Sequence, residues 1–102
     1  MNRTAVLNVV GLSKRHIGGH TPAISKFLSL GQAANINPAF PAVTCTAQSN
    51  YLTGKQPSEH GIVGNGWYNH ELAEVAFWKQ PNQTVQSPKL WHDLRLANGD
   101  FT

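Results

Sequence analysis

The sequence predicts an α/β fold in which helices pack against a mainly parallel sheet. Residues 4–11 form a continuous apolar, β-branched run that ends at a glycine, which is typical of a strand buried on both faces. An amphipathic helix is predicted after this run, and a second short apolar segment covers residues 33–36. The order strand, helix, strand favours a parallel connection with the helix on one face of the sheet.

Two helices are predicted in the first half of the chain. The first begins at Thr21, because a threonine cap is followed there by Pro22 at the first helical position, and it ends at Gly31. The second covers residues 44–53 and stops at Gly54. Its Thr, Ser and Asn residues are poor helix formers, so the prediction of this helix depends on its boundary signals more than on its composition.

The remaining elements are bounded by proline and glycine. Residues 37–41 contain two prolines and predict an extended loop, and residues 55–66 are rich in turn-forming residues. Residues 67–68 and 75–78 are predicted to form a hairpin around a polar turn. A last amphipathic helix follows Ser87 and Pro88 and ends before Gly99.

Length and composition indicate part of one globular domain. Apolar residues make up 40 % of the 102 residues and charged residues only 13 %, which excludes a disordered chain of high net charge. Two or three strands would make a thin sheet, and the pattern stops where another strand is expected. We therefore expect residues 1–102 to be the N-terminal portion of a single, longer α/β domain.

Several partners and locations are disfavoured by the sequence. The net charge is +3, but the basic residues are scattered, and only Lys14, Arg15 and His16 are adjacent, which does not predict a nucleic-acid polymer as partner. No apolar run approaches the roughly 20 residues of a membrane span, and no signal peptide is evident. Cys45, the single cysteine, cannot form an internal disulfide, so we expect a cytoplasmic protein. The oligomeric state stays open.

Thr44 is the candidate for chemistry. It follows the proline-containing loop and opens a helix, where unpaired backbone N–H groups and the helix dipole favour an anion such as phosphate. A hydroxyl there becomes a nucleophile if a base or a metal lowers its pKa. The plain alternative is that Thr44 is only the N-cap of the helix, a position that threonine favours.

Three motifs carry a family resemblance. Residues 40–44 read FPAVT, residues 51–54 read YLTG, and residues 57–65 read PSEHGIVGN. Together they resemble the type I phosphodiesterase/nucleotide pyrophosphatase branch of the alkaline phosphatase superfamily. In that pattern a Thr-Gly and an asparagine follow the nucleophilic threonine, and here Thr53 lies nine and Asn65 twenty-one residues after Thr44.

The resemblance implies a fold, a reaction and site residues. The fold would be the N-terminal part of an alkaline phosphatase-like three-layer α/β/α sandwich. The full-length enzyme would hydrolyse a small phosphate ester, either a phosphodiester or a nucleotide pyrophosphate, through a covalent phospho-threonine at Thr44. Asn65 and the Thr44 backbone N–H would donate hydrogen bonds to phosphate oxygens. His60 and Gly61 would form a structural turn.

The resemblance also implies two divalent metal ions, zinc in relatives, with Thr44 as one ligand and most other ligands outside these residues. Val10 stands where relatives have a metal-binding aspartate, and valine cannot bind a metal. Asn8, His16 and His20 are weak substitutes. The alternative is therefore a non-catalytic relative that binds a phosphate ester at a degenerate metal site.

Other interpretations of the central residues fit less well. Cys45 lacks the following proline and arginine of the sulfatases, so we expect it to be a small packed side chain. Residues 61–66 lack the Lys-Ser/Thr of a P-loop. The large aromatic residues fit a core better than a ring-stacking pocket. These residues are Trp67, Phe77, Trp78 and Trp91.

Overall fold

The structure, a computed structural model, describes residues 4–78 and 81–97. The chain divides into two compact units, Met1–Ile36 and Asn37–Thr102. The described residues combine α-helices with a small β-sheet, which confirms the α/β class. Gly99, the predicted end of the last helix, lies outside the described residues. Over residues 4–78 and 81–97, no helix has the length and apolar character needed to span a membrane.

The first unit contains a 3-10 turn at Lys14–His16 and helix α1, Pro22–Leu28. The predicted helix is confirmed, with Pro22 in its first turn, although it ends three residues before Gly31. Thr21 does not cap α1 with its side chain. Its hydroxyl instead accepts the Gly18 N–H at 2.9 Å and donates to the His16 carbonyl at 2.9 Å, so it closes the preceding loop.

The two strands predicted in this unit are not formed. Residues 4–11 and 33–36 have no regular secondary structure, and Val6, Leu7 and Val10 are more than four-fifths exposed. A strand is stabilised by hydrogen bonds to a neighbouring strand, and the described residues provide none for these segments. The apolar pattern is present, but the backbone partners that would convert it into a sheet are not.

The second unit begins with the predicted loop, which leads into helix α2, Thr44–Thr53. The helix has the predicted bounds. Gly54 ends it in the left-handed region, with φ of 65°, and its N–H donates to the Asn50 carbonyl at 2.8 Å. The Thr53 hydroxyl donates to the Ser49 carbonyl at 2.6 Å and accepts the Lys55 N–H at 3.2 Å. The Thr-Gly pair of the motif is thus the C-terminal cap of α2.

A short helix, α3 (Pro57–His60), lies within the segment predicted to be rich in turns. Proline occupies its first position, and the Gln56 N–H donates to the Glu59 carboxylate at 3.1 Å. This hydrogen bond, together with the Lys55 ammonium 3.1 Å from the carboxylate, lowers the pKa of Glu59. Gly61, with φ of 78°, ends the helix in the left-handed region. The local capping signals explain this helix.

The sheet is a two-stranded antiparallel hairpin. Strand β1 (Gly66–Asn69) pairs with strand β2 (Glu74–Phe77), which confirms the predicted hairpin. The Asn69 side-chain oxygen accepts the N–H groups of Glu71 and Leu72 at 2.9 and 3.2 Å, so the asparagine organises the polar turn. This sheet is not the predicted parallel one, because its strands are adjacent in sequence and joined by a tight turn.

Helix α4, Leu90–Ala97, follows a 3-10 turn at Asn82–Thr84. The helix is confirmed, but it begins two residues after Pro88. The side chain of Lys89 is buried, and its ammonium donates to the carbonyls of Asn82 at 3.0 Å and Val85 at 3.3 Å. These hydrogen bonds join the start of α4 to the turn before it.

The buried centre of the second unit is small and largely polar. Two of its side chains come from α2, two come from the end of α3 and the segment just after it, and one comes from the residue before α4. The buried residues are Thr46, Ser49, His60, Ile62 and Lys89. The Gln86 N–H donates to the His60 carbonyl, and the Ser87 hydroxyl donates to the Glu59 carbonyl, both at 3.0 Å. The end of α3 is therefore fixed by hydrogen bonds more than by apolar packing.

Alanine at Gly54 or Gly61 is expected to destabilise the chain by about 1 kcal/mol each, because both glycines have a left-handed backbone that a Cβ disfavours. At Gly61 the Cβ would also lie 3.0 Å from the Gln86 side chain, whose end would have to shift. Gly64→Ala is the control, since its Cβ would meet nothing closer than 3.8 Å. Urea unfolding followed by tryptophan fluorescence measures all three. A Gly64→Ala variant as unstable as the other two would contradict this account.

Candidate active site

Thr44 is the first residue of α2, and its side chain is exposed. The plain alternative for Thr44 is wrong, because the N-cap is Val43, which has no polar side chain to satisfy the first turn. The first N–H groups of α2 are therefore left for other partners. Among the described residues, the Thr44 N–H has no acceptor.

Asn65 lies immediately before β1 and reaches back to the start of α2. Its side-chain oxygen accepts the Cys45 N–H at 2.9 Å, across twenty residues of sequence. Its own carbonyl accepts the Trp78 N–H at 3.1 Å, at the end of the hairpin. The structure thus brings Asn65 to the residue next to Thr44 and holds it from both sides.

The hydrogen bond from Cys45 determines which end of the Asn65 amide is available. An asparagine side chain has one carbonyl oxygen and one NH₂ group. Because the oxygen is occupied by the Cys45 N–H, the NH₂ group is left as the donor. It finds no acceptor among the described residues, so the start of α2 presents a hydroxyl, a backbone N–H and an amide donor.

His60 connects α2 to the loop that carries Asn65. The imidazole is fully buried, its Nδ1 accepts the Ile62 N–H at 3.0 Å, and its Nε2 lies 2.8 Å from the Asn50 side-chain oxygen. Since Nδ1 is an acceptor, the ring is neutral with its proton on Nε2, which donates to Asn50. Burial lowers the pKa of His60 below its ordinary value of 6.5. The arrangement fits the structural role expected for the His60-Gly61 turn.

The described residues do not form a metal site. Over residues 4–78 and 81–97 there is no group of three or more His, Cys, Asp or Glu side chains that could hold an ion. Val10 and Asn8 are exposed in the first unit, and His16 Nδ1 accepts the Ser13 N–H at 3.0 Å. Zinc requires about four nitrogen, sulfur or oxygen ligands. Thr44 and Asn65 alone do not meet this requirement.

Cys45 and the aromatic residues are less buried than expected. The Cys45 side chain is half-buried and, with Ser49, Ile62 and Val85, lines a cavity of about 310 Å³. Phe77 and Trp78 are exposed and contact each other edge to face, so a core position was the wrong expectation for these two residues. The other two large aromatics, Trp67 and Trp91, are half-buried.

Two groups at the site were missed in the sequence. The first is the Cys45 N–H. It was missed because the sequence identifies a backbone N–H only by its place in the first turn of a helix. The second is Asn50, whose side-chain oxygen accepts the hydrogen bond from the His60 Nε2–H. Asparagine is unfavourable in a helix interior, so its presence in the middle of α2 is the signal that could have indicated an external partner.

Comparison with known proteins bears on the same residues. Alkaline phosphatase PafA from Elizabethkingia meningoseptica is 41% identical over 46 residues, which cover 45% of this chain but only 8% of that relative. The chain therefore corresponds to a small part of the relative's length. No solved structure has a significant match. The type I phosphodiesterase / nucleotide pyrophosphatase family matches residues 4–100, nearly the whole length. The resemblance seen in the three motifs is confirmed, and the chain belongs to this family.

Proposed function

We propose that this chain is the N-terminal portion of an enzyme that hydrolyses a phosphodiester or a nucleotide pyrophosphate through a phospho-threonine at Thr44. The family supports a phosphoester hydrolase in general terms. The observation that carries the finer proposal is the hydrogen bond between the Cys45 N–H and the Asn65 side chain. It places an amide donor beside an exposed threonine at the start of a helix, which suits a phosphate group.

The proposed reaction has two displacements. The Thr44 hydroxyl oxygen attacks phosphorus, the bond from phosphorus to the leaving oxygen breaks, and the leaving group takes up a proton. The covalent phospho-threonine still carries the substrate's second ester group. Water then attacks its phosphorus, the bond from phosphorus to the threonine oxygen breaks, and a phosphate monoester is released with the Thr44 hydroxyl restored. The Asn65 NH₂ group and the Thr44 N–H would donate to the non-bridging oxygens, where negative charge must be stabilised during transfer.

The metal part of the proposal depends on ligands beyond the described residues. Two divalent ions, zinc by resemblance, would lower the pKa of the attacking hydroxyl and neutralise phosphate charge. Thr44 would supply one oxygen. Because the described residues contain no cluster of ligands, we propose that the remaining ligands belong to other parts of the intact protein.

The fold of the intact protein is also a proposal. The exposed apolar side chains of residues 4–10 suit a strand that becomes buried when neighbouring strands are present. This is consistent with the expected parallel sheet of a three-layer α/β/α sandwich and with residues 1–102 as part of one domain. The free Cys45 fits a reducing compartment, so we propose a cytoplasmic location and a small phosphate ester as the substrate.

A second candidate function rests on Val10. The side chain at this position cannot bind a metal, and the family resemblance implies an aspartate here. If no other residue replaces that ligand, the protein would bind a phosphate ester without turnover. The two candidates therefore differ in whether product appears, not in whether the ligand binds.

An assay of the intact protein with added zinc separates the two candidates. The substrates are a p-nitrophenyl phosphodiester, a nucleotide pyrophosphate and a phosphate monoester, the last because the relative is called an alkaline phosphatase. We expect turnover, with the diester or the pyrophosphate preferred. Binding by calorimetry without product would support the non-catalytic candidate, and neither binding nor product would reject both.

A further inference from the structure

The loop that presents Asn65 is attached to α2 at two points. One is the hydrogen bond from the Cys45 N–H to Asn65, and the other is the hydrogen bond from His60 Nε2 to Asn50. Asn50 lies five residues after Cys45, about 7.5 Å farther along the helix axis. Between the two points, the His60 ring also accepts the Ile62 N–H. The imidazole therefore determines how the loop leaves α3 and returns to the start of α2.

Only neutral His60 can make both of its hydrogen bonds. Its Nε2–H donates to Asn50 while Nδ1 accepts from Ile62. A proton on Nδ1 would face the Ile62 N–H, so this buried donor would lose its acceptor and the ring would become a buried cation. The charged form is incompatible with the loop as observed.

The groups around His60 do little to favour the charged form. Glu59 is its neighbour on α3, and the carboxylate is 3.1 Å from the Lys55 ammonium. From α2 the imidazole meets the uncharged amide of Asn50. From the segment after β2, His60 is contacted by an uncharged group, the Gln86 N–H, which donates to the His60 carbonyl.

We propose that His60 is a positioning residue whose neutral imidazole holds Asn65 at the start of α2, and that protonation of this ring releases Asn65. The role of Asn65 in this statement rests on the proposed function, but the coupling between His60 and Asn65 does not. Catalysis would then be lost at acidic pH because the phosphate donor leaves its position. The linkage also affects stability. Since the folded chain takes up this proton at lower pH than the unfolded chain, stability falls as the pH drops below 6.5 toward the lowered pKa of His60.

NMR of the intact protein, labelled with ¹⁵N and ¹³C and titrated from neutral to acidic pH, tests the coupling. The expected result is a neutral His60 with its proton on Nε2, and amide shifts of Ile62 and Cys45 that change at the same midpoint as the ring. The neighbouring Glu59 carboxyl, whose pKa is lowered from 4.5 by the Gln56 N–H and the Lys55 ammonium, is followed in the same spectra so that its titration is distinguished from that of the imidazole. A proton on Nδ1, or a Cys45 amide that ignores the titration of His60, would overturn the proposal.

The Asn50→Asp variant sharpens the test. A carboxylate can still accept the Nε2–H, and its charge stabilises the imidazolium, so the common midpoint should rise by about one pH unit or more. Asn69→Asp makes the same change in the hairpin turn, where the oxygen still accepts from Glu71 and Leu72, and it should leave the midpoint unchanged. Equal midpoints in the two variants would contradict a direct hydrogen bond between residue 50 and His60.

The pH profile of the intact enzyme separates this inference from the proposed function. If kcat falls at acidic pH and Asn50→Asp moves that fall upward, both are supported. If the NMR midpoints move together but no substrate is turned over, the proposed function fails and the coupling stands. If turnover is present and the Cys45 amide does not follow His60, the coupling is wrong and the proposed function survives.

Discussion

Replacing Thr44 with alanine is expected to lower kcat of the intact enzyme by about 10⁴-fold or more, because the variant lacks the oxygen that attacks phosphorus. The fold should be preserved, since Thr44 is exposed and the N-cap of α2 is Val43. Initial rates measure the effect. Mass spectrometry of quenched reactions should find the phosphoryl group of the substrate, with the ester substituent it retains, on the peptide that contains Thr44 only in the unmodified enzyme.

Thr44→Ser is the matched control because it retains a hydroxyl at the same position. It should keep far more activity than the alanine variant and should also become phosphorylated. An alanine variant with an unchanged rate would remove Thr44 from the mechanism. Phosphate trapped on another residue would move the nucleophile elsewhere and leave the family assignment intact.

The Asn65→Asp substitution is expected to lower kcat/KM by about 10²- to 10³-fold, the usual effect of removing one donor that stabilises transition-state charge. The new carboxylate can still accept the Cys45 N–H, so the loop should stay attached to α2. What is lost is the NH₂ group, and the negative charge opposes a phosphate. Steady-state kinetics and thermal unfolding of the same preparation separate catalysis from stability.

Two further variants make this result interpretable. Asn65→Ala loses the acceptor as well as the donor, so it should be less stable than Asn65→Asp, by about 1 kcal/mol, while being similarly impaired in kcat/KM. Asn69→Asp introduces the same change at the turn of the hairpin and should leave activity unaffected. Full activity of Asn65→Asp would contradict the assignment of Asn65 as a phosphate donor.

Much of the second unit could be predicted from sequence because its elements are defined by local signals. Gly54 ends α2 in the left-handed region, and the polar turn of the hairpin is closed by Asn69. Such signals act over three or four residues and do not depend on the rest of the fold. The short helix α3 was missed because four residues are too few to show a hydrophobic period.

The first unit shows the opposite case. Residues 4–11 have the apolar, β-branched composition of a buried strand but no strand structure. Strand formation requires backbone partners that are distant in sequence, so the composition predicts a tendency and not an element. The helix α1 forms in the same unit because its hydrogen bonds are internal.

For the candidate site as well, local features could be predicted from the sequence and long-range contacts could not. The sequence determined the family and the helix that begins at Thr44, because motifs and helix boundaries are properties of the linear chain. The family resemblance in turn pointed to Thr44 and Asn65 as the residues of interest. Only the tertiary structure decided that Val43 occupies the N-cap position without a capping side chain, that the Cys45 N–H orients Asn65, and that a buried neutral His60 joins Asn50 to Ile62. These contacts depend on hydrogen-bond donors and acceptors that meet after folding, and no local pattern records which of them will be paired.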